Sequence, residues 1–215
     1  MDLNFEINTD FDFDFEKVKS KQEPPEKRSH RRKSECIELS EKYLYRRAFS
    51  ELNLINLDLK IESGKSFALL TGGNVDALSF LHLILRDVKN LDYLLVSTWC
   101  AAAEDCLWLV NACKNGVIGK MDFFAGEIFT GQYKIETGIL KDFYESKDNK
   151  GGRFAVFKNH SKIFAGYNLE KNFYFGVSTS ANINTNPRTE NAFIICNKEI
   201  FDFYYNYFSG INSFE

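Results

Sequence analysis

The chain of 215 residues has no apolar run that approaches the length of a membrane span, no C-x-x-C pair and no excess of positive charge. Each absence excludes something. A bilayer-crossing helix needs about 20 successive apolar residues, so no membrane partner is expected. The opening Met1-Asp2-Leu3-Asn4 is acidic, unlike a secretory signal. Cys36, Cys100, Cys106, Cys113 and Cys196 are scattered and odd in number, which fits neither a zinc site nor a disulfide framework. A reducing, cytoplasmic compartment follows, with no metal and no cofactor expected. The formal net charge of −3 gives no general attraction to polyanions. Any affinity for phosphate must therefore be local. Gly64-Lys65-Ser66 lacks the earlier glycine of a phosphate-cradling loop, since Leu59 stands there, and reads as a turn. Histidine is scarce: His30, His82 and His160 are all there are.

What is present points to a globular core. Hydrophobic residues make up 44% and aromatic residues 15%, with 21 Phe. The length suits one sizeable domain plus an extension. Residues 1–34 differ from the rest. Asp10 to Glu16 alternates acid and Phe, Glu23-Pro24-Pro25-Glu26 breaks the chain, and Lys27 to Lys33 is basic. Opposed charge blocks of this kind stay solvated or dock on a protein partner. The domain is expected over residues 35–215.

Within it, Cys36 to Phe49 reads as a helix and Leu52 to Ile61 as a strand. Strands are then predicted at Phe67–Thr71, Tyr93–Thr98, Lys120–Gly126, Arg153–Ala165, Phe173–Val177 and Phe193–Cys196. Helices are predicted at Val75–Val88, Ala101–Lys114, Tyr133–Tyr144 and Lys198–Phe208. Asn115-Gly116 marks a helix stop. Strands alternating with helices argue an α/β fold: a mixed, largely parallel sheet with helices on both faces. Cys106 and Cys113, seven apart on a helix, read as buried thiols. Glu104 and Asp105 suit the positive end of that helix.

The most informative stretch is Asn159-His160-Ser161-Lys162-Ile163-Phe164, in an alternating apolar setting with Phe154 and Val156. Residues two apart on a strand share a face, so His160 and Lys162 should project side by side. Ser178-Thr179-Ser180-Ala181-Asn182 and Glu190-Asn191 follow. In this order the segments resemble the phospholipase D-like superfamily, whose signature is H-x-K, four residues, D, then G-S-x-N. Tyr167 stands at the Asp position, as tyrosyl-DNA phosphodiesterases also lack that Asp. Thr179 stands at the Gly position, and the gap between the two is longer than usual.

The resemblance implies half of a phospholipase D-like unit and a set of roles. His160 would be the nucleophile, Lys162 the phosphate-binding cation, and Glu190 the acid that orients a partner histidine. Ser180 and Asn182 would hold phosphate oxygens. Arg188, in the polar loop Asn182 to Thr189, is either part of an Asx-bonded turn or a rim cation facing phosphate. The family site uses two H-x-K motifs and this chain has one. His82 lies between leucines on a helix, and His30 in the basic block. Activity then requires a homodimer.

The implied function is a metal-independent phosphodiesterase, a nuclease, working through a phospho-histidine. The other reading is a degenerate phospholipase D-like fold that binds nucleic acid or serves structurally in a phage or mobile element of a bacterial cell. Trp99, at a strand end, is a candidate for stacking a base, although core packing is favoured for it and for Trp108. Glu127, just past the third strand, lies within reach of the cleft.

Overall fold

The computed structural model describes residues 59–72, 75–184 and 188–213. The extension over 1–34, the helix Cys36–Phe49 and most of the strand Leu52–Ile61 lie outside the described residues. Leu59 to Ile61 are not in a strand. The elements run β1 (Ser66–Thr71), α1 (Ala77–Val88), β2 (Leu91–Thr98), α2 (Ala103–Lys114), β3 (Ile118–Gly126), α3 (Phe129–Gln132), α4 (Lys134–Glu145), β4 (Phe154–Phe157), β5 (Ile163–Asn168), β6 (Phe173–Thr179), β7 (Glu190–Ile195) and α5 (Lys198–Ser209).

Local chemistry sets the boundaries. Asp76 caps α1 by accepting from Ser79 N at 3.0 Å. Asn197 does the same for α5, accepting from Ile200 N at 2.9 Å. The stop after α2 is Gly116, at φ +77°, a left-handed position that glycine takes without a Cβ clash. Gly64, at φ +81°, sits in the turn before β1, and Lys65 pairs with Glu62 there. Gly64-Lys65-Ser66 is therefore a turn.

The strands form one seven-stranded sheet in the order β1-β7-β6-β5-β2-β3-β4. The mixed α/β class is as expected, but its largely parallel character is not. Only β2–β3 and β3–β4 pair in parallel, while β1–β7, β7–β6, β6–β5 and β5–β2 are antiparallel. The reason lies in the connections. α2 and α4 are crossovers long enough to return a strand in the same direction, but β5 reaches β6 through residues 169–172 alone. The expected single strand Arg153–Ala165 is also corrected. It splits into edge strand β4, paired with β3, and β5, paired with the opposite side of β2. Between them Lys158 to Lys162 is polar and cannot continue a strand buried on both faces. This link crosses the carboxyl ends of β3 and β2.

Helices cover both faces, and the period of two divides the core accordingly. Leu94 and Val96 join Leu78, Leu81, Leu109 and Leu140 of α1, α2 and α4 in one cluster. Tyr93 and Leu95 join Phe201 and Phe208 of α5 in the other. Cys106 and Cys113 are buried in the first cluster, as their spacing suggested. Trp108 is partly buried there, against the His82 ring at 4.3 Å. No described helix is long and apolar enough to cross a membrane.

The pairing directions place one rim. The carboxyl ends of β1, β2, β3, β4 and β6 and the amino ends of β5 and β7 lie together. The link before β5 and the residues after β6 meet at this rim. The loop after β5 is at the opposite end.

Candidate phosphate site at the sheet rim

His160 and Lys162 leave the same short link, and a pocket of about 300 Å³ opens beside them. Its walls are His160, Ser161, Lys162, Ile163, Ser178, Thr179 and Ser180. Lys162 Nζ lies 3.0 Å from His160 Nδ1 and donates to the His160 carbonyl at 2.7 Å. Lys162 is only 7% exposed, whereas His160 is open to solvent. Burial lowers the ammonium's pKa from its ordinary value, against the opposing pull of Cys100 and Glu190.

The link is held from below by a polar network. Asn159, itself buried, donates through Nδ2 to Ser97 Oγ at 2.9 Å and to the Phe124 carbonyl at 3.1 Å. Its Oδ1 accepts from Ser161 N at 3.0 Å and from Ser161 Oγ at 2.7 Å. Glu127 Oε2 accepts from Asn159 N at 3.3 Å. Strand ends β2 and β3 thus fix the turn that carries His160 and Lys162. The Trp99 ring lies 5.1 Å from that of His160. It is half-buried, packed on the candidate nucleophile rather than presented to solvent.

The second segment is joined in part. Ser180 lines the pocket, and its Oγ donates to Glu190 Oε2 while accepting from Asn191 N at 3.0 Å. Glu190 is buried at the start of β7, close enough to favour the charge on Lys162. Asn182 and Arg188 do not line the pocket. The Asn182 carbonyl accepts from Ala77 N at 3.0 Å, and its Oδ1 is enclosed without a hydrogen-bond partner. Arg188 is exposed. Tyr167, at the position of the family's Asp, is further along β5, stacked at 5.7 Å on Tyr93 and edge-on to Phe201. It belongs to the α5 core.

Ser97, Cys100 and Tyr133 were not singled out from the sequence. Cys100 is buried, and its thiol pKa is raised chiefly by burial, with Tyr133 and Asn184 as hydrogen-bond partners. Burial also lifts the Tyr133 hydroxyl to about 12. The available signal was positional: Ser97 and Cys100 are at the end of a strand that reaches the rim. Among the described residues, no cluster of three or more His, Cys, Asp or Glu side chains is arranged to hold a metal ion.

No family model and no curated protein matches the chain. Among solved structures, polyphosphate kinase from Porphyromonas gingivalis is similar with a TM-score of 0.48 and 11% identity. The likeness covers 67% of this chain and 26% of that one, so the chain spans about a quarter of that protein's length.

Proposed function

We propose that the chain is a phospholipase D-like phosphodiesterase acting on nucleic acid without a metal ion, as a homodimer. The observation that carries the reading is the His160–Lys162 pair at the mouth of a pocket walled by Ser178 and Ser180 hydroxyls. A phosphodiester resists attack because its charge repels nucleophiles. The buried ammonium offsets that charge and stabilises the transition state. His160 attacks phosphorus, the P–N bond forms and the P–O bond to the leaving alcohol breaks. The alcohol takes its proton from His160 of the second subunit. That same imidazole then removes a proton from water, which attacks the phospho-histidine and frees His160.

A second reading is a module that binds phosphate and does not cleave it. It is favoured by one feature: Lys162 is already bonded to the carbonyl and ring of its own His160, and His160 is the only histidine lining the pocket. Incubation with bis-p-nitrophenyl phosphate, DNA and RNA in EDTA separates the two. Turnover with an acid-labile phospho-adduct, lost in His160→Ala, supports the enzyme. Phosphate binding without turnover supports the module. A strictly monomeric active protein rules out the two-subunit mechanism.

A further inference from the structure

We propose that the pocket continues into a single-stranded nucleic-acid platform, on which Phe193 stacks the base next to the phosphate held at Lys162. This rests on the reading of the pocket as a phosphate site. In the β6–β7 register Phe193 stands directly opposite Ser178, a wall of the pocket. Directly opposed residues share a face, with Cβ atoms about 5 Å apart. α5 covers this face over β6, where Tyr204 packs on Gly176 and hydrogen-bonds Ser178. Among the described residues β7 and β1 are open on this face: Phe193 is 50% exposed and Leu70, paired with Asn191, is 81% exposed.

α5 adds two more exposed rings. Phe203 and Tyr207 are 64% and 65% exposed and lie one turn apart. Tyr205 meets Tyr93 edge-on near the far end of β2. Phe203 and Tyr207 lie away from Phe201, Tyr204 and Phe208, which pack on the sheet, so they face solvent.

Apolar surface of this kind marks a binding site, and the pocket narrows the occupant. Its buried ammonium calls for an anion. Lys162 is held by the His160 carbonyl with Glu190 nearby, and a phosphate would set a full negative charge beside the ammonium. A nucleotide strand brings a phosphate and a flat π surface in each unit, which matches a cation with an exposed ring opposite a wall of its pocket. Stacking of this type does not select bases, so little sequence preference is expected.

The experiment uses the full chain as wild type, Phe193→Ala and Phe193→Trp, with a fluorescein-labelled oligothymidylate, inorganic phosphate and bis-p-nitrophenyl phosphate. Phe193→Ala should weaken oligothymidylate binding on the order of tenfold and leave binding and turnover of the small diester unchanged. Phe193→Trp should add emission to that of Trp99 and Trp108, and oligothymidylate should quench the difference from wild type whereas inorganic phosphate does not. Unchanged oligothymidylate affinity in Phe193→Ala overturns the proposal. So does a shift of the solution mass from dimer to monomer in that variant, which assigns the strip to a subunit interface. If small diesters are neither bound nor cleaved while oligothymidylate binding still depends on Phe193, the platform stands and the catalytic reading fails.

Discussion

Lys162 folds back on the residue two before it: its Nζ is 3.0 Å from His160 Nδ1 and 2.7 Å from the His160 carbonyl oxygen. On the proposed reading, an anion entering the pocket would compete with the imidazole for that ammonium and free the ring. The two side chains therefore have separable roles. Lys162→Met should abolish the rise in Tm that inorganic phosphate gives wild type, and lower diester turnover by on the order of 10²- to 10³-fold, the scale for a lost transition-state donor. His160→Ala should keep phosphate-induced stabilisation and lose the covalent adduct. Thermal scans with and without phosphate, beside acid-quench labelling, check both. If both variants lose phosphate binding equally, this division of roles fails.

Burial of Lys162 also predicts a pH dependence of stability. Its pKa in the folded chain lies below the ordinary value of 10.5, because burial disfavours the charged form. The unfolded chain then holds the proton more tightly, so stability rises with pH between the lowered folded value and 10.5. Below that window the whole cost of burying the ammonium is present, and above it the cost is gone. Lys162→Met lacks this dependence. Its stability relative to wild type should be greatest at neutral pH and decline as pH climbs through the window. Urea unfolding of both proteins at several pH values measures it. A difference that stays constant with pH contradicts the account.

Glu190 acts on the same ammonium from β7. Its carboxylate favours the charged form of Lys162, while its Oε2 takes the Ser180 hydroxyl proton into a hydrogen bond. Glu190→Gln retains an acceptor for Ser180 and removes the charge. The ammonium then loses its proton at lower pH, and the alkaline limb of phosphate binding should move the same way. Titration of phosphate affinity against pH reads the shift. Ser180→Ala should lower affinity without moving the limb. A limb unmoved in Glu190→Gln shows that the carboxylate does not reach Lys162 in solution.

The sequence made the elements legible where a single period ran through a buried stretch. β2 and α1 were expected within two residues of their observed ends, because Tyr93 to Val96 and Leu78 to Val88 carry their patterns without interruption. Strand direction was not legible. Direction follows from whether a crossover helix intervenes, and the antiparallel β5-β6-β7 run depends on a link of residues 169–172 that looks ordinary in sequence. His160 and Lys162 were placed side by side by strand alternation, and they are neighbours, but in the link that precedes β5. Ser180 and Glu190 hydrogen-bond each other, a contact the motif order did not foretell. Asn182 did not join the pocket, because its carbonyl is bonded to Ala77 at the start of α1. Ser97 is far from the motif in sequence, and only the β2–β5 pairing brings it beneath Ser161.

Asn159 gives the sharpest test of how the turn is held. Its amide saturates Ser97, Phe124 and Ser161 from a buried position, so the side chain is a positioning group for His160 and Lys162. Asn159→Ala should destabilise the fold by about 1–3 kcal/mol through the buried groups it leaves unpaired, and reduce turnover. Asn159→Asp cannot donate to the Phe124 carbonyl and should be no better. Loss of stability alone does not prove positioning, so a second approach is needed from the other side of the turn. A Cβ built on Gly126 would lie 2.8 Å from the Asn159 carbonyl oxygen and 2.7 Å from Trp99 Cδ1. Gly126→Ala therefore presses on the link and on Trp99 while it removes none of the Asn159 side-chain partners. If the link positions the catalytic pair, Gly126→Ala should lower kcat with little change in KM for a small diester. Normal kcat in a folded Gly126→Ala protein would show that the turn tolerates displacement and that Asn159 matters only for stability.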